Sequence, residues 1–503
     1  MKKTGVELFE LIHSLSMAEK KYFKMFSSLQ SGDKNYLKLY DAIEKQRSYD
    51  EGAIRTAYSG QKFLRQLFAT KNRLYNNILR TLEIYHSSAE VNLHSQLSKA
   101  KILLRKELTA QGLKLLKNVK SIAYHHEQWE LLMEVLVMER SPYTEVELLK
   151  MPHMNEEVEA VLQKLSNIHD YRKIYHQITY QINEVQSIRT RKEQSFIAKL
   201  MRHPLLRNSK QATCTEAKTC YYEIMSRYYL FKRDFIKGYE TSKEQCDFIE
   251  AHLHQLSDPD KRYLFALNSS VSFLAYLFTR SDKYGKEMQE ALQKIRAYPI
   301  DSSVKSTFWT YSYINELNAF MLMGDFEKVF PALKAIEGNE DMVTQTPAIA
   351  RFNLYYNIAY LLFGTGSYKE ASRWLKKIID QPSELRKDTQ ASAYILYLLV
   401  HYELHKDEEL LDSLQRSAMH FLSTRQRIFK VEESLMHCLQ QIMGKSISRK
   451  KRSTALLEFK TSLLKLMKNP KEKAAMENLD FLSWVESKIQ HKTFGEVVKE
   501  KAK

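Results

Sequence analysis

The chain has 503 residues, too many for one hydrophobic core, so two or three domains or a repeat array are expected. It holds only 13 glycines and 9 prolines, where average usage would give about 60; this excludes turn-rich sheet folds and the glycine-rich phosphate loops of α/β enzymes. The net charge of +17 favours polyanionic partners but fixes no fold.

Residues 1–88 are read as an N-terminal helical domain. Glu7 and Glu10 interrupt the first residues, leaving no apolar stretch for a signal peptide. Ser16-Met17-Ala18-Glu19 forms a capping box ahead of Tyr22, Phe23, Met25 and Phe26. Gly32-Asp33 breaks that helix, and Tyr36, Leu37, Tyr40 and Ile43 mark the next. Asp50 is the expected cap of a third, and Phe63, Leu67, Leu74, Ile78, Leu82 and Tyr85 lie along a longer one, closed by Ser87-Ser88. The short helices near Asp33 and Asp50 permit a helix-turn-helix, but no recognition helix stands out.

Residues 89–210 are read as a long-helix segment. Leucines from Leu97 to Leu116 suggest a hairpin turning near Gln111-Gly112. Trp129 to Val137 is another helix, stopped by Ser141-Pro142. Val158 to Leu200 contains neither Gly nor Pro and reads as one or two very long helices ending at His203-Pro204.

Residues 211–443 carry repeats. Each unit has an aromatic-rich helix, a tight turn with Gly or Asp, and a second helix. Phe235, Tyr284, Phe326, Tyr368 and Leu410 follow the turns at intervals of 49, 42, 42 and 42 residues. Tyr313, Tyr355 and Tyr397 form a second column, again 42 apart, and are expected to open the first helices. At Tyr355 to Pro382 the sequence resembles a tetratricopeptide repeat: Tyr355 is the large aromatic, Ile358-Ala359 the branched and small pair, Gly366 and Tyr368 the turn, Ala371 the small residue of the second helix, and Pro382 the stop. Val329 and Glu287 stand where neighbouring units would have a small residue, and the period exceeds the standard 34. The resemblance covers residues 215–422 and implies an all-α, right-handed-type α-solenoid of helix hairpins, with the N-terminal block before it. Lone hairpins leave apolar flanks bare, so they stack. Tyr355→Ala is therefore expected to cost on the order of 3–5 kcal/mol.

Residues 444–503 are read as a basic C-terminal helical cap. They include Arg449-Lys450-Lys451-Arg452 and two amphipathic helices, Thr454 to Lys468 and Glu472 to Gln490. From Lys445 onward there are 15 Lys and Arg against 7 Asp and Glu, about half of the whole net charge.

No constellation points to catalysis. His401 and His405 lie one helical turn apart, but Glu403 is not where a zinc peptidase needs it and no third ligand is evident. His125-His126 and His252-x-His254 are weaker still. Gly364-Thr365-Gly366-Ser367 lacks the Lys-Ser/Thr of a phosphate loop and reads as a repeat turn. Cys214, Cys220, Cys246 and Cys438 form no Cys-x-x-Cys pair and read as buried free thiols. Tyr221, Tyr222 and Arg227 to Arg233 mix aromatics with cations but read as repeat core. The longest apolar run, Ala393 to Val400, is too short to cross a bilayer, which places the protein in the cytoplasm.

The expected function is a non-enzymatic interaction scaffold without cofactor or metal. The resemblance places Asn318, Asn353, Tyr356, Tyr360 and Tyr402 on a concave groove for a protein or peptide. The alternative is a nucleic-acid-associated or regulatory protein that meets polyanions through its N-terminal block or through Arg449, Lys450, Lys451 and Arg452.

Overall fold

Scarce Gly and Pro leave the backbone few ways to satisfy its hydrogen bonds except within helices. The computed structural model accordingly has no strand among the residues it describes, which are 3–15, 17–29, 35–85, 89–140, 151–185, 191–300, 303–381, 387–404, 408–424, 428–443, 447–469, 472–473, 476 and 479–502. No described helix is long and apolar enough to cross a membrane. Several expected signals lie outside the described residues: Ser16, Gly32-Asp33, Ser87-Ser88, Ser141-Pro142, Pro382 and His405.

The chain divides into two compact units, Met1–Leu162 and Gln163–Lys503. In the first, α1 (Lys3–Ser14), α2 (Met17–Leu29), α3 (Asn35–Glu44) and α4 (Glu51–Ala57) precede α5 (Leu67–Tyr85). Helix α5 packs against α1, α2 and α3, and Phe23, Tyr40, Leu74 and Ile78 are fully buried there. Asp50 caps α4 as expected, accepting the Ala53 N–H at 3.0 Å. Helices α6 (Ala89–Arg105), α7 (Thr109–His125) and α8 (Trp129–Glu139) follow. The turn between α6 and α7 falls at Lys106–Leu108, with Glu107 at φ 61°, and not at Gly112. Gly112 lies inside α7, where a Cβ would stand 2.7 Å from Leu104. Its role is to let α6 and α7 approach, which explains why a helix-breaking residue misplaced the turn.

Helix α9 (Met151–Val185) spans the division and α10 (Arg191–Leu200) follows it. The second unit then runs as α11 (Thr215–Lys232), α12 (Phe235–Ala251), α13 (Pro259–Leu277), α14 (Asp282–Ala297), α15 (Ser303–Met323), α16 (Val329–Glu337), α17 (Glu340–Thr344), α18 (Ala348–Gly364), α19 (Tyr368–Ile379), α20 (Lys387–Glu403) and α21 (Glu408–Thr424). Helix α11 touches α13, α13 touches α15, α15 touches α18, and α18 touches α20. Between them α12, α14, α16 and α19 each pack on the helix before and the helix after. The turn chemistry is local. Arg233, Gly324 and Gly366 take φ of 57°, 69° and 80°, while Asp234 and Ser281 cap the helices that follow. The aromatics after the turns fill the spaces between hairpins: Phe235 stacks on Tyr276 at 4.2 Å, and Phe326 meets Tyr360 at 6.3 Å. Tyr313, Tyr355 and Tyr397 lie well inside their helices and do not open them, because each helix begins several residues earlier.

Helices α22 (Lys430–Ile442), α23 (Arg449–Leu466), α24 (Phe481–Gln490) and α25 (Phe494–Ala502) complete the chain. Helix α23 starts at the basic run, with Ser448 as its cap, five residues before the expected Thr454. Helix α25 was not expected at all.

Candidate functional site

Helices α24 and α25 fold back onto the C-terminal ends of α15, α18 and α20, far earlier in the chain. Phe494, at the start of α25, is 2% exposed and sits among Phe326, Tyr360 and Phe363, with ring centroids 5.8, 5.8 and 5.2 Å away. Rare glycines make the approach possible. A Cβ on Gly495 would meet the Gly364 carbonyl oxygen, one on Gly364 would meet the Phe326 ring, and one on Gly324 would lie 3.1 Å from the Lys499 backbone. Two close backbone approaches and one ring packed on bare backbone thus coincide with three of the few glycines.

Helix α24 seats on α20. Trp484 is fully buried and packs edge-on against Tyr402, 5.9 Å between centroids. Its indole N–H donates to Glu403 Oε1 at 2.9 Å, and Lys488 Nζ donates to Glu403 Oε2 at 2.6 Å. Lys499 Nζ lies 3.8 Å from Asp325, beside the end of α15. Lys488 and Lys499 therefore bring positive charge to two helix C-termini, where the backbone dipole is negative. Burial pushes the Glu486 carboxyl of α24 up, but hydrogen bonds from Lys501 of α25 and Lys460 of α23 outweigh it and hold it below the usual carboxylate range.

This arrangement decides where the expected groove residues lie. Tyr356 and Tyr360 are buried, 7% and 6% exposed, and burial pushes both phenols up. Tyr402 is half-buried against Trp484, and its phenol is pushed up to about 12 by burial. Asn318 accepts the Asn357 side-chain N–H at 2.8 Å, a tie between α15 and α18, and Asn353 is half-buried. The chain's own α25 and α24 supply the rings that meet Tyr360 and Tyr402. The residues that sequence reasoning missed are Phe494, Gly495, Trp484 and Glu403. Phe494, Val497 and Val498 at helical spacing after a Gly-poor stretch carried the signal.

The remaining candidates hold less. His401 meets Tyr397 edge-on, ring centroids 4.4 Å apart, and its Nε2 lies 3.4 Å from Ser372 Oγ, in the contact between α19 and α20. Among the described residues, no group of three or more His, Cys, Asp or Glu could hold a metal. None of the four cysteines is in a disulfide and all are buried, and burial pushes the Cys220, Cys246 and Cys438 thiols up to about 12, far from a reactive thiolate. Tyr222 is buried and Tyr221 half-buried, whereas Arg227 donates to the Tyr175 hydroxyl at 2.9 Å. Arg449, Lys450, Lys451 and Arg452 are all exposed in the first turn of α23. Compared with protein-family models, curated proteins and solved structures, the chain matches none.

Proposed function

We propose that residues 215–422 form a tetratricopeptide-like α-solenoid of about 42-residue period, and that the protein is a non-enzymatic cytoplasmic scaffold that grips an amphipathic helix along the C-terminal ends of its first helices. The seating of α25 carries the reading. A hairpin edge built around Gly324 and Gly364, with Phe326, Tyr360 and Phe363 forming an aromatic socket, accepts a helix presenting Phe, then Gly, then a basic last turn. Helix-in-groove binding uses the same elements: an apolar anchor at helical spacing and a complementary rim. The chain's own helix supplies the pattern that a partner helix would copy.

The test removes residues 494–503 and titrates the truncated protein with a labelled peptide spanning Thr493 to Lys503. Saturable binding that is lost with Phe494→Ala in the peptide supports the reading. A truncated protein that keeps its helical circular dichroism and cooperative melting, yet ignores the peptide, removes it.

A second reading, polyanion contact through α23, is favoured by one observation. Arg449, Lys450, Lys451 and Arg452 crowd a helix N-terminus, where cations oppose the dipole, and no ion pair to them occurs among the described residues. If that turn binds nucleic acid, replacing all four by Gln lowers the salt dependence of binding by about four phosphate contacts.

A further inference from the structure

The outer face of α5 has no structural explanation. Its inner face is settled: Leu67, Leu74 and Ile78 are buried, and Lys71 is 2.5 Å from Glu51. The opposite face carries Arg65, Phe68, Asn72, Arg73, Asn76 and Arg80 in one stripe, running from the turn before the helix to its fourth turn. Phe68 is 52% exposed. Among the described residues, Arg65 and Arg80 make no ion pair, and the side chains of Asn72 and Asn76 make no hydrogen bond. Asn is a poor helix former, so two asparagines one turn apart on an exposed helix weaken α5 for no local return. Arg73 is steadied over the Tyr36 ring, 5.6 Å from its centroid.

The charge is as one-sided as the chemistry. Helix α5 holds a single carboxylate, Glu83, on the same side but past Arg80 at the end of the stripe. Nearby carboxylates are spent on other cations: Glu51 on Lys71 and Arg55, Glu44 on Lys20 and Lys24.

We infer that this face of α5 contacts double-stranded DNA, with the helix lying in the major groove. The stripe from Phe68 to Arg80 is about 18 Å long at the helical rise, and the major groove of B-form DNA admits one helix of that kind. Arg73, near the middle of the stripe, can pair with the acceptor edge of guanine, Asn with the mixed edge of adenine and an exposed aromatic with a thymine methyl, while Arg65 and Arg80 at the ends of the stripe meet phosphates. Double-stranded RNA does not fit, because its major groove is too narrow for a helix. The inference is independent of the helix-binding edge in the second unit and of the basic turn of α23.

The full chain is titrated with a fluorescent DNA duplex of about 30 base pairs across a range of salt, where each neutralised phosphate steepens the fall of affinity with salt. Arg65→Gln with Arg80→Gln is expected to flatten the salt slope by about two contacts. Arg65→Lys with Arg80→Lys restores the slope, a rescue that a folding defect would not give. Asn72→Ala with Asn76→Ala keeps the slope but broadens the sequences enriched from a random duplex pool. The inference is overturned if the chain ignores duplex DNA at low salt, if the Gln pair keeps the parental slope, if the Ala pair enriches the same sequences, or if RNA duplex or single strands bind more tightly.

Discussion

Trp484 and Glu403, 81 residues apart in the chain, share a hydrogen bond of 2.9 Å that Lys488 completes from the other carboxylate oxygen. Glu403 is 8% exposed on its side chain, so neither partner has water as a ready substitute. Glu403→Ala leaves an indole N–H unpaired and an ammonium short of its counter-charge. Because Lys488 retains some exposure, the expected loss is about 2–3 kcal/mol, below the full cost of breaking a buried pair. Urea unfolding measures it, and a midpoint equal to the parent's would mean that α24 is held by packing alone.

Gly495 lies against the backbone of α18, where an added Cβ would meet the Gly364 carbonyl oxygen. Gly495→Val must push α25 off Gly364, since the atom it meets is a backbone oxygen that cannot rotate away. Overpacking of this kind costs about 1–3 kcal/mol. The loss should be local as well as global. Amide hydrogen exchange at Phe363 and around Tyr368 should quicken, while exchange in α3 and α5 stays unchanged. Equal protection across both units would contradict a seated α25.

The all-helical class was legible because glycine and proline are scarce, and the hairpin turns because they need special chemistry. Asp50, Asp234 and Ser281 cap helices, and Gly324 and Gly366 supply positive φ. Such signals are local. Gly112, Gly364 and Gly495 carry a different message, close approach between helices, which nothing in their own neighbourhood reveals. The tyrosine column was found, but its place within each helix was not, since α18 begins seven residues before Tyr355 and α15 ten before Tyr313. The site was the least legible part. Tyr360 was singled out as a binding anchor, yet what binds it is Phe494 of the same chain, 134 residues on, and periodicity cannot report which distant helix covers a face.

Burial now ranks two aromatic truncations that the repeat pattern treats alike. Phe363 is 1% exposed between Tyr368 and Phe494, whereas Tyr355 is half-buried, facing Trp374 at 5.3 Å with Lys377 above the rings. Phe363→Ala is expected to cost about 3–5 kcal/mol and Tyr355→Ala about 2–3, less than its place in the repeat suggested. Denaturant melts of the two variants decide the order, and the reverse order would put the main contact of the hairpin at Tyr355.

Glu223 gives the second unit a pH dependence of unusual sign. Burial pushes its carboxyl up from 4.5 to about 7, because its nearest cation, Arg262, stands 3.9 Å away and is bound more closely by Glu216 at 2.6 Å. Arg227 is turned toward the Tyr175 hydroxyl. Between pH 4.5 and 7 the folded chain then holds a proton that the unfolded chain has released. Stability from this group is complete below 4.5 and is lost as pH rises through 7, a change of roughly 3 kcal/mol at most. Glu223→Gln keeps the shape and removes the titration. The variant should match the parent near pH 4.5 and exceed it at pH 8. Urea unfolding of both proteins at several pH values measures the gap, and a gap that does not widen with pH would show that Glu223 is charged at no cost in the folded chain.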